Sequence, residues 1–312
     1  MRKIVLFAVL AGLIAVERPT AAQSPVPTFK ASVAVVPISA VVRDKNGRVV
    51  TTLKKEDFEV LDNGQVRPIL DFQVDDAGPI SLAVLLDVSG SMSIKPKLSL
   101  ASQVVERLTG DLRADRDEVG FFTFDATLRE ERPFTVGRFT LNGMVASTKP
   151  FGTTSLYDAV AETARRVALR PAQRRAIVVL TDGIDTSSKL TPGEVSALAS
   201  SIDVPVYVVV TVPTIDRMLN AQPVPGKTAE ASADLRDLAS WTGGDLLWAS
   251  EPQETVYSSA QILAELRHQY FIAIESAVEG EWRPLEVRMS SRVRDRRLTV
   301  RARTGYFGQR KD

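Results

Sequence analysis

Three runs of apolar residues constrain the fold of this chain more than any other feature. Residues 81–86 (S-L-A-V-L-L), 176–180 (A-I-V-V-L) and 204–212 (V-P-V-Y-V-V-V-T-V) carry almost no strongly polar side chain. Strands built from them would be buried on both faces, which is the condition of a parallel sheet covered by helices on each side. Helical spacing falls between the runs. It is read over 98–108, over 155–169 with Leu156, Val160, Ala164 and Val167 on one face, and over 191–201, opened by a capping Thr191 and Pro192. Further helices are read over 234–241 and 255–267, and further strands over 118–125 and 246–248. Strand alternating with helix from 80 to 267 predicts an α/β fold, a doubly wound, mostly parallel, Rossmann-like sheet flanked by helices. Parallel neighbours need crossovers, and these are right-handed.

Both flanks of this region are β-like. Residues 33–42, 58–61 and 66–72 precede it, with turns at 44–47 and at Asn63-Gly64, whose residue types suit positive φ angles. Pro37 and Pro68 interrupt these runs, which places them at strand edges or bulges. Residues 270–275, 285–289 and 298–302 follow, with turns near 279–280 and 294–295. Neither set has enough strands to stand alone. The expectation is that they combine into one small β-sandwich, with two separate β appendages as the alternative. The plan is therefore a signal peptide at 1–22, an N-terminal β segment at 28–76, an α/β domain at 78–267 and a C-terminal β segment at 268–308.

Arg2 and Lys3, an apolar run over 4–16 and the small residues Thr20-Ala21-Ala22 read as an export signal that is removed. The run is shorter than the ~20 residues a spanning helix needs, so the mature chain is expected to be periplasmic or extracellular, without a membrane span. Lys and Arg number 39 against 38 Asp and Glu, a balance that gives no field toward nucleic acid. With no Cys among 312 residues, disulfides, thiolate metal sites and thiol nucleophiles are excluded.

In open α/β sheets ligands sit beyond the carboxyl ends of the strands. Three polar clusters fall there: Asp87-Val88-Ser89-Gly90-Ser91 after the first buried run, Gly152-Thr153-Thr154-Ser155 before a helix, and Thr181-Asp182-Gly183 after the second run. Two carboxylates and three hydroxyls make an oxygen-only set, suited to a hard cation and not to zinc. Two Asp residues only neutralise a divalent ion. The metal would remain electrophilic toward an incoming carboxylate.

D-V-S-G-S at 87–91, G-T-T-S-L-Y-D-A at 152–159 and L-T-D-G at 180–183 resemble the metal-ion-dependent adhesion site of von Willebrand factor A (vWA) domains. The resemblance covers about residues 78–267, where V-G-F-F-T-F at 119–124 and V-Y-V-V-V at 206–210 look like core strands of that fold. It implies that Ser89, Ser91 and Thr154 bind the metal directly, and Asp87 and Asp182 directly or through water. The ion implied is Mg²⁺, with Mn²⁺ or Ca²⁺ as substitutes. The wider arrangement, with V-R-D-K-N-G near the start and G-Y-F near the end, is similar to vWA-related proteins exported by bacteria. Where that family often has two glycines before the ligating Thr, this chain has Gly152-Thr153. D-x-S-x-S alone is a common string; its place after a buried run, with the other clusters in order, makes the set specific.

The expected function is therefore metal-dependent capture of a partner protein that presents a carboxylate, not catalysis. The alternatives are a metal-dependent hydrolase and a structural envelope component in which the metal only braces a loop. His268 is the single histidine, and any Ser-His-Asp mechanism would have to use it. Asp125, Asp158 and Asp185 lie near the clusters and read either as groups that orient the ligands or as caps and loop anchors. Trp241, Trp248 and Trp282 read as core or interdomain packing.

Overall fold

The computed structural model describes residues 34–74, 76–137, 139–141, 150–214, 228–276, 280–293 and 297–308. The expected signal peptide at 1–22, the turn near 279 and most of the turn near 294–295 lie outside the described residues. Five parallel strands form the central sheet: β5 (Ile80–Asp87), β6 (Glu118–Phe124), β8 (Arg174–Thr181), β9 (Val206–Val210) and β10 (Leu246–Trp248). An antiparallel edge strand, β7 (Leu128–Val136), completes the order β10-β9-β8-β5-β6-β7. The helices are α1 (Lys97–Gly110), α2 (Leu156–Ala168), α3 (Pro192–Ser201), α4 (Thr228–Thr242) and α5 (Pro252–Arg267).

The apolar runs are buried on both faces for a visible reason. Side chains of β5 alternate between two cores: Leu82, Val84 and Leu86 meet Val104 and Leu108 of α1 and Ile262 and Leu266 of α5. Ala83 and Leu85 meet Val160 and Val167 of α2, Val195 of α3 and Leu238 of α4. Every residue of β5 is buried, and truncating Leu85 to Ala would cost about 3 kcal/mol. Because α1, which follows β5, lies on one face and α3, which follows β8, lies on the other, the chain leaving β5 and the chain leaving β8 diverge. β5 and β8 are adjacent, so a cleft opens between their carboxyl ends.

β7 was not foreseen. Arg129, Glu130, Glu131, Arg132 and Pro133 hide its alternation, and those are the residues that an edge strand tolerates and a central one does not. The register with β6 slips beside Phe121 and Arg132.

The flanking segments build two antiparallel sheets of four strands. One has the order β13 (Thr299–Arg301), β1 (Val35–Arg43), β11 (Tyr270–Glu275), β4 (Ile69–Val74). The other runs β14 (Gly305–Phe307), β12 (Trp282–Met289), β2 (Phe58–Asp62), β3 (Gln65–Arg67). Val36, Ile38, Val60, Ile272, Leu285 and Tyr306 share one core, so the N- and C-terminal segments make a single sandwich-like part. β2 and β3 turn at Asn63 and Gly64, with φ of 49° and 77°. The single strand read over 66–72 is in fact two. Pro68, which has no N–H to donate, separates β3 from β4, and the chain crosses there from one sheet to the other. Pro37 sits where β1 pairs with β11 on one side and lies beyond the reach of β13 on the other, a local edge as expected.

Ionic contacts join the sandwich to the central sheet. Asp203 accepts from Ser39 N at 3.1 Å and from Ser39 Oγ at 2.8 Å, while Arg303 reaches Asp203, the Ser200 carbonyl and the Pro37 carbonyl. Arg43 and Arg301 both pair with Asp245. Among the described residues no helix is long and apolar enough to cross a membrane.

Candidate metal-binding cleft

The three clusters meet at the cleft, and backbone hydrogen bonds fix them to one another. Gly90 N donates to the Gly152 carbonyl and Phe151 N to the Val88 carbonyl, both at 3.1 Å, which lays the loop entering α2 along the loop leaving β5. On the other side Thr186 N and Ser187 N donate to the Thr154 carbonyl at 2.9 and 3.0 Å, and Thr154 N donates to Thr186 Oγ1 at 2.8 Å. Gly152 has φ of 88°, a conformation that favours glycine. Thr153, standing where a second glycine is usual, keeps a negative φ and accepts a hydrogen bond from Ser187 Oγ at 3.0 Å. The substitution therefore ties the loop down.

Asp87 is the last residue of β5 and is fully buried. One carboxylate oxygen accepts from Ser89 N at 2.8 Å and the other from Thr181 Oγ1 at 2.6 Å. Burial pushes its carboxyl up to about 6; hydrogen bonds from Thr181 and Ser89 oppose that rise and the charge of Asp182 adds to it. An acid held in this way gains from a nearby cation. Ser89 Oγ and Ser91 Oγ lie 3.2 Å apart. Neighbouring ligands of an octahedral ion with bonds of 2.0–2.1 Å are separated by about 3 Å, so the two hydroxyls suit adjacent positions. Thr154 is 3% exposed and Asp182, directly after β8, is 7% exposed. Asp182 Oδ2 accepts from the Lys97 ammonium at 2.7 Å, whereas Asp182 Oδ1 is buried without a hydrogen-bond partner.

That orphaned oxygen tests whether the residues fit an ion. A buried carboxylate oxygen left unpaired costs roughly 1–3 kcal/mol or more, and a cation would remove the cost. Among the described residues no group of three or more His, Cys, Asp or Glu could hold a metal, so hydroxyls must complete any ligand set here. Ser89, Ser91 and Thr154 are the hydroxyls at hand, and the oxygen-only chemistry of the set, with Ser89 and Ser91 3.2 Å apart, is of the kind a hard divalent ion takes. The site is less open than a rim: among these five side chains only Ser91 is more than nearly buried.

Sequence reasoning named Thr181 only as part of the third cluster and missed the other residues that hold the candidate ligands in place. Thr181 bonds Asp87 and also receives Gly183 N at 3.1 Å. Thr186, Ser187 and Ser188 lace the third loop to the second, and Lys97 reaches Asp182 from the first residue of α1. The run of hydroxyls after Asp185 was the available signal. Asp185 and Asp158 act as loop anchors. Asp185 accepts from Leu156 N and Ser188 Oγ, and Asp158 from Lys189 N and Leu190 N, so both fasten the start of α2 behind Thr154. Asp125 pairs with Arg129, and its carbonyl receives Ser155 N.

His268 caps α5 beside Arg267, whose guanidinium binds Asp117, and Asp117 also accepts from Ile80 N at the first residue of β5. It therefore belongs to the amino end of the sheet. The strand between that end and Asp87 spans roughly 23 Å at 3.3 Å per residue, which puts a Ser-His-Asp arrangement out of reach. The tryptophans divide between the two places expected of them, core and junction between the α/β region and the sandwich. Trp248 packs against the α2-side core, but Trp241 and Trp282 are 40% and 39% exposed and, with Phe307, line a groove where α3 and α4 meet β14.

Several solved structures resemble the chain. A von Willebrand factor type A protein from Catenulispora acidiphila aligns over 90% of this chain and 76% of its own, with 11% identity and a TM-score of 0.48. An aerotolerance-related membrane protein from Bacteroides fragilis aligns over 60% and 98%, with 20% identity and a TM-score of 0.45. Proximal thread matrix protein 1 from the mussel byssus, in a form with a zinc-occupied MIDAS motif, aligns over 66% and 50%, with 18% identity and a TM-score of 0.49. A search of curated proteins finds no match. Residues 82–184, from β5 through the loop after β8, match the family model of the von Willebrand factor type A domain.

Proposed function

We propose that the protein holds one divalent ion, Mg²⁺ with Mn²⁺ or Ca²⁺ as substitutes, at Asp87, Ser89, Ser91, Thr154 and Asp182, and uses it outside the cytoplasm to bind a carboxylate of a partner protein. The observation that carries this reading is the partnerless, buried Asp182 Oδ1 in a cleft that also holds two serine hydroxyls 3.2 Å apart. Hydroxyl ligands withdraw little charge from the metal, which keeps it receptive to an anionic group. A binding role is favoured over hydrolysis because, among the described residues of the cleft, both oxygens of Asp87 and one of Asp182 are engaged, the other oxygen of Asp182 is the one assigned to the ion, and His268 is at the far end of the sheet. The reading of residues 1–22 as an export signal supports the location.

Thermal unfolding with Mg²⁺ or Mn²⁺ tests the ion site. Metal at a hundred times its Kd stabilises the wild type by about 2.7 kcal/mol, and Ser89→Ala and Thr154→Ala lose that gain while keeping the fold. A gain retained by both variants contradicts the assignment. EDTA should release the partner. Capture that persists in Thr154→Ala would instead identify a metal that only braces the loop.

A further inference from the structure

Among the described residues Lys97 is the cation that reaches the candidate ligands, and nothing in the ligand motif calls for it. Its side chain is 10% exposed; the ammonium donates to Asp182 Oδ2 at 2.7 Å and to the Ser91 carbonyl at 3.3 Å, touching two of the three loops. Asp182 is thereby left with a single unengaged oxygen. The two candidate ligand carboxylates, Asp87 and Asp182, and the Lys97 ammonium sum to a single negative charge, which a divalent ion more than neutralises.

We propose that Lys97 determines the specificity of the cleft: by engaging one oxygen of Asp182 it weakens cation binding and leaves the loaded site net positive, so that the ion's open position selects an anionic group over a neutral one. The inference rests on the ion site proposed above and concerns what that site prefers to bind. A fixed positive charge a few ångströms from a divalent ion is worth several kcal/mol at an effective dielectric of about 20, before solvent screening. Its removal is therefore measurable.

The experiment titrates Mn²⁺ into wild type, Lys97→Met, Lys97→Gln and Lys97→Arg, following heat of binding, and then adds acetate to the Mn²⁺-loaded proteins while following water-proton relaxation. Lys97→Met and Lys97→Gln should bind Mn²⁺ at least about tenfold more tightly than wild type and need correspondingly more acetate to displace water. Lys97→Arg should stay near wild type in both. Without metal, Lys97→Met should melt at a lower temperature, because Asp182 loses its partner; Lys97→Gln keeps a hydrogen-bond donor and guards against a variant that does not fold. If the neutral variants bind Mn²⁺ no more tightly than wild type and only their melting temperature changes, Lys97 is structural and the proposal falls. If wild type itself binds no Mn²⁺, the ion site fails and Lys97 is only a partner of Asp182.

Discussion

The two ends of the central sheet both bury acids, and they treat them differently. At the amino ends, Asp117 accepts from Ile80 N, Arg113 N and the Arg267 guanidinium, and Glu118 takes a two-point contact from Arg170 together with the Ser81 hydroxyl. Every carboxylate oxygen there has a partner. At the carboxyl ends, among the described residues, Asp87 is met by hydroxyls and a backbone N–H and by no guanidinium, and Asp182 by one ammonium with an oxygen left over. Rigid guanidinium forks close one end as structure, while small hydroxyls and an incomplete pairing leave the other able to accept something more.

The comparison breaks first at Arg267. Arg267→Met should destabilise the protein by about 3–5 kcal/mol, because it strands the fully buried Asp117, yet leave Mn²⁺ affinity unchanged. Denaturant unfolding and a metal titration of the same variant check both halves. A parallel loss of metal affinity would show that the two ends are not independent.

Acid sharpens it next. Burial raises the carboxyls of Asp117 and Glu118, but Arg267 with two backbone N–H groups, and Arg170 with Ser81, outweigh it and hold both below the ordinary range. A depressed folded value means that the unfolded chain binds the proton more readily. The stability these pairs supply is then present above the unfolded value near 4 and is lost as pH falls through the folded value. Stability measured against pH should fall below about 4, and less steeply in Arg267→Met. A fall of equal slope in both proteins would remove this pair from the account.

Asp185 gives the smallest effect. Asp185→Ala removes the bonds to Leu156 N and Ser188, costs about 1 kcal/mol of stability and loosens the loop carrying Thr154. Mn²⁺ affinity should drop about tenfold, the usual scale for groups that orient metal ligands. An unchanged affinity would mean that Thr154 is held by Thr186 and Ser187 alone.

Much of this was legible in the sequence because burial on two faces leaves an unmistakable all-apolar run, as in β5, β8 and β9. The clusters after those runs announced the cleft for the same reason: polar side chains at the end of a buried strand need a purpose. β7 escaped because an edge strand selects charge and proline, which erase alternation, and β14 because three residues carry no period. Lys97 and the 186–188 hydroxyls escaped for another reason. Their roles depend on contacts made across the cleft, Lys97 to Asp182 and Ser187 to Thr153, and such pairings are set by the fold and not by spacing.

The most direct measurement is a crystal of the protein grown with Mn²⁺ and measured for anomalous scattering. A single strong peak bounded by Ser89, Ser91 and Thr154, with Asp87 and Asp182 binding directly or through water, is the predicted result. A peak elsewhere, or a cleft with Asp182 Oδ1 still unpaired at saturating Mn²⁺, would contradict the assignment of this cleft as the ion site.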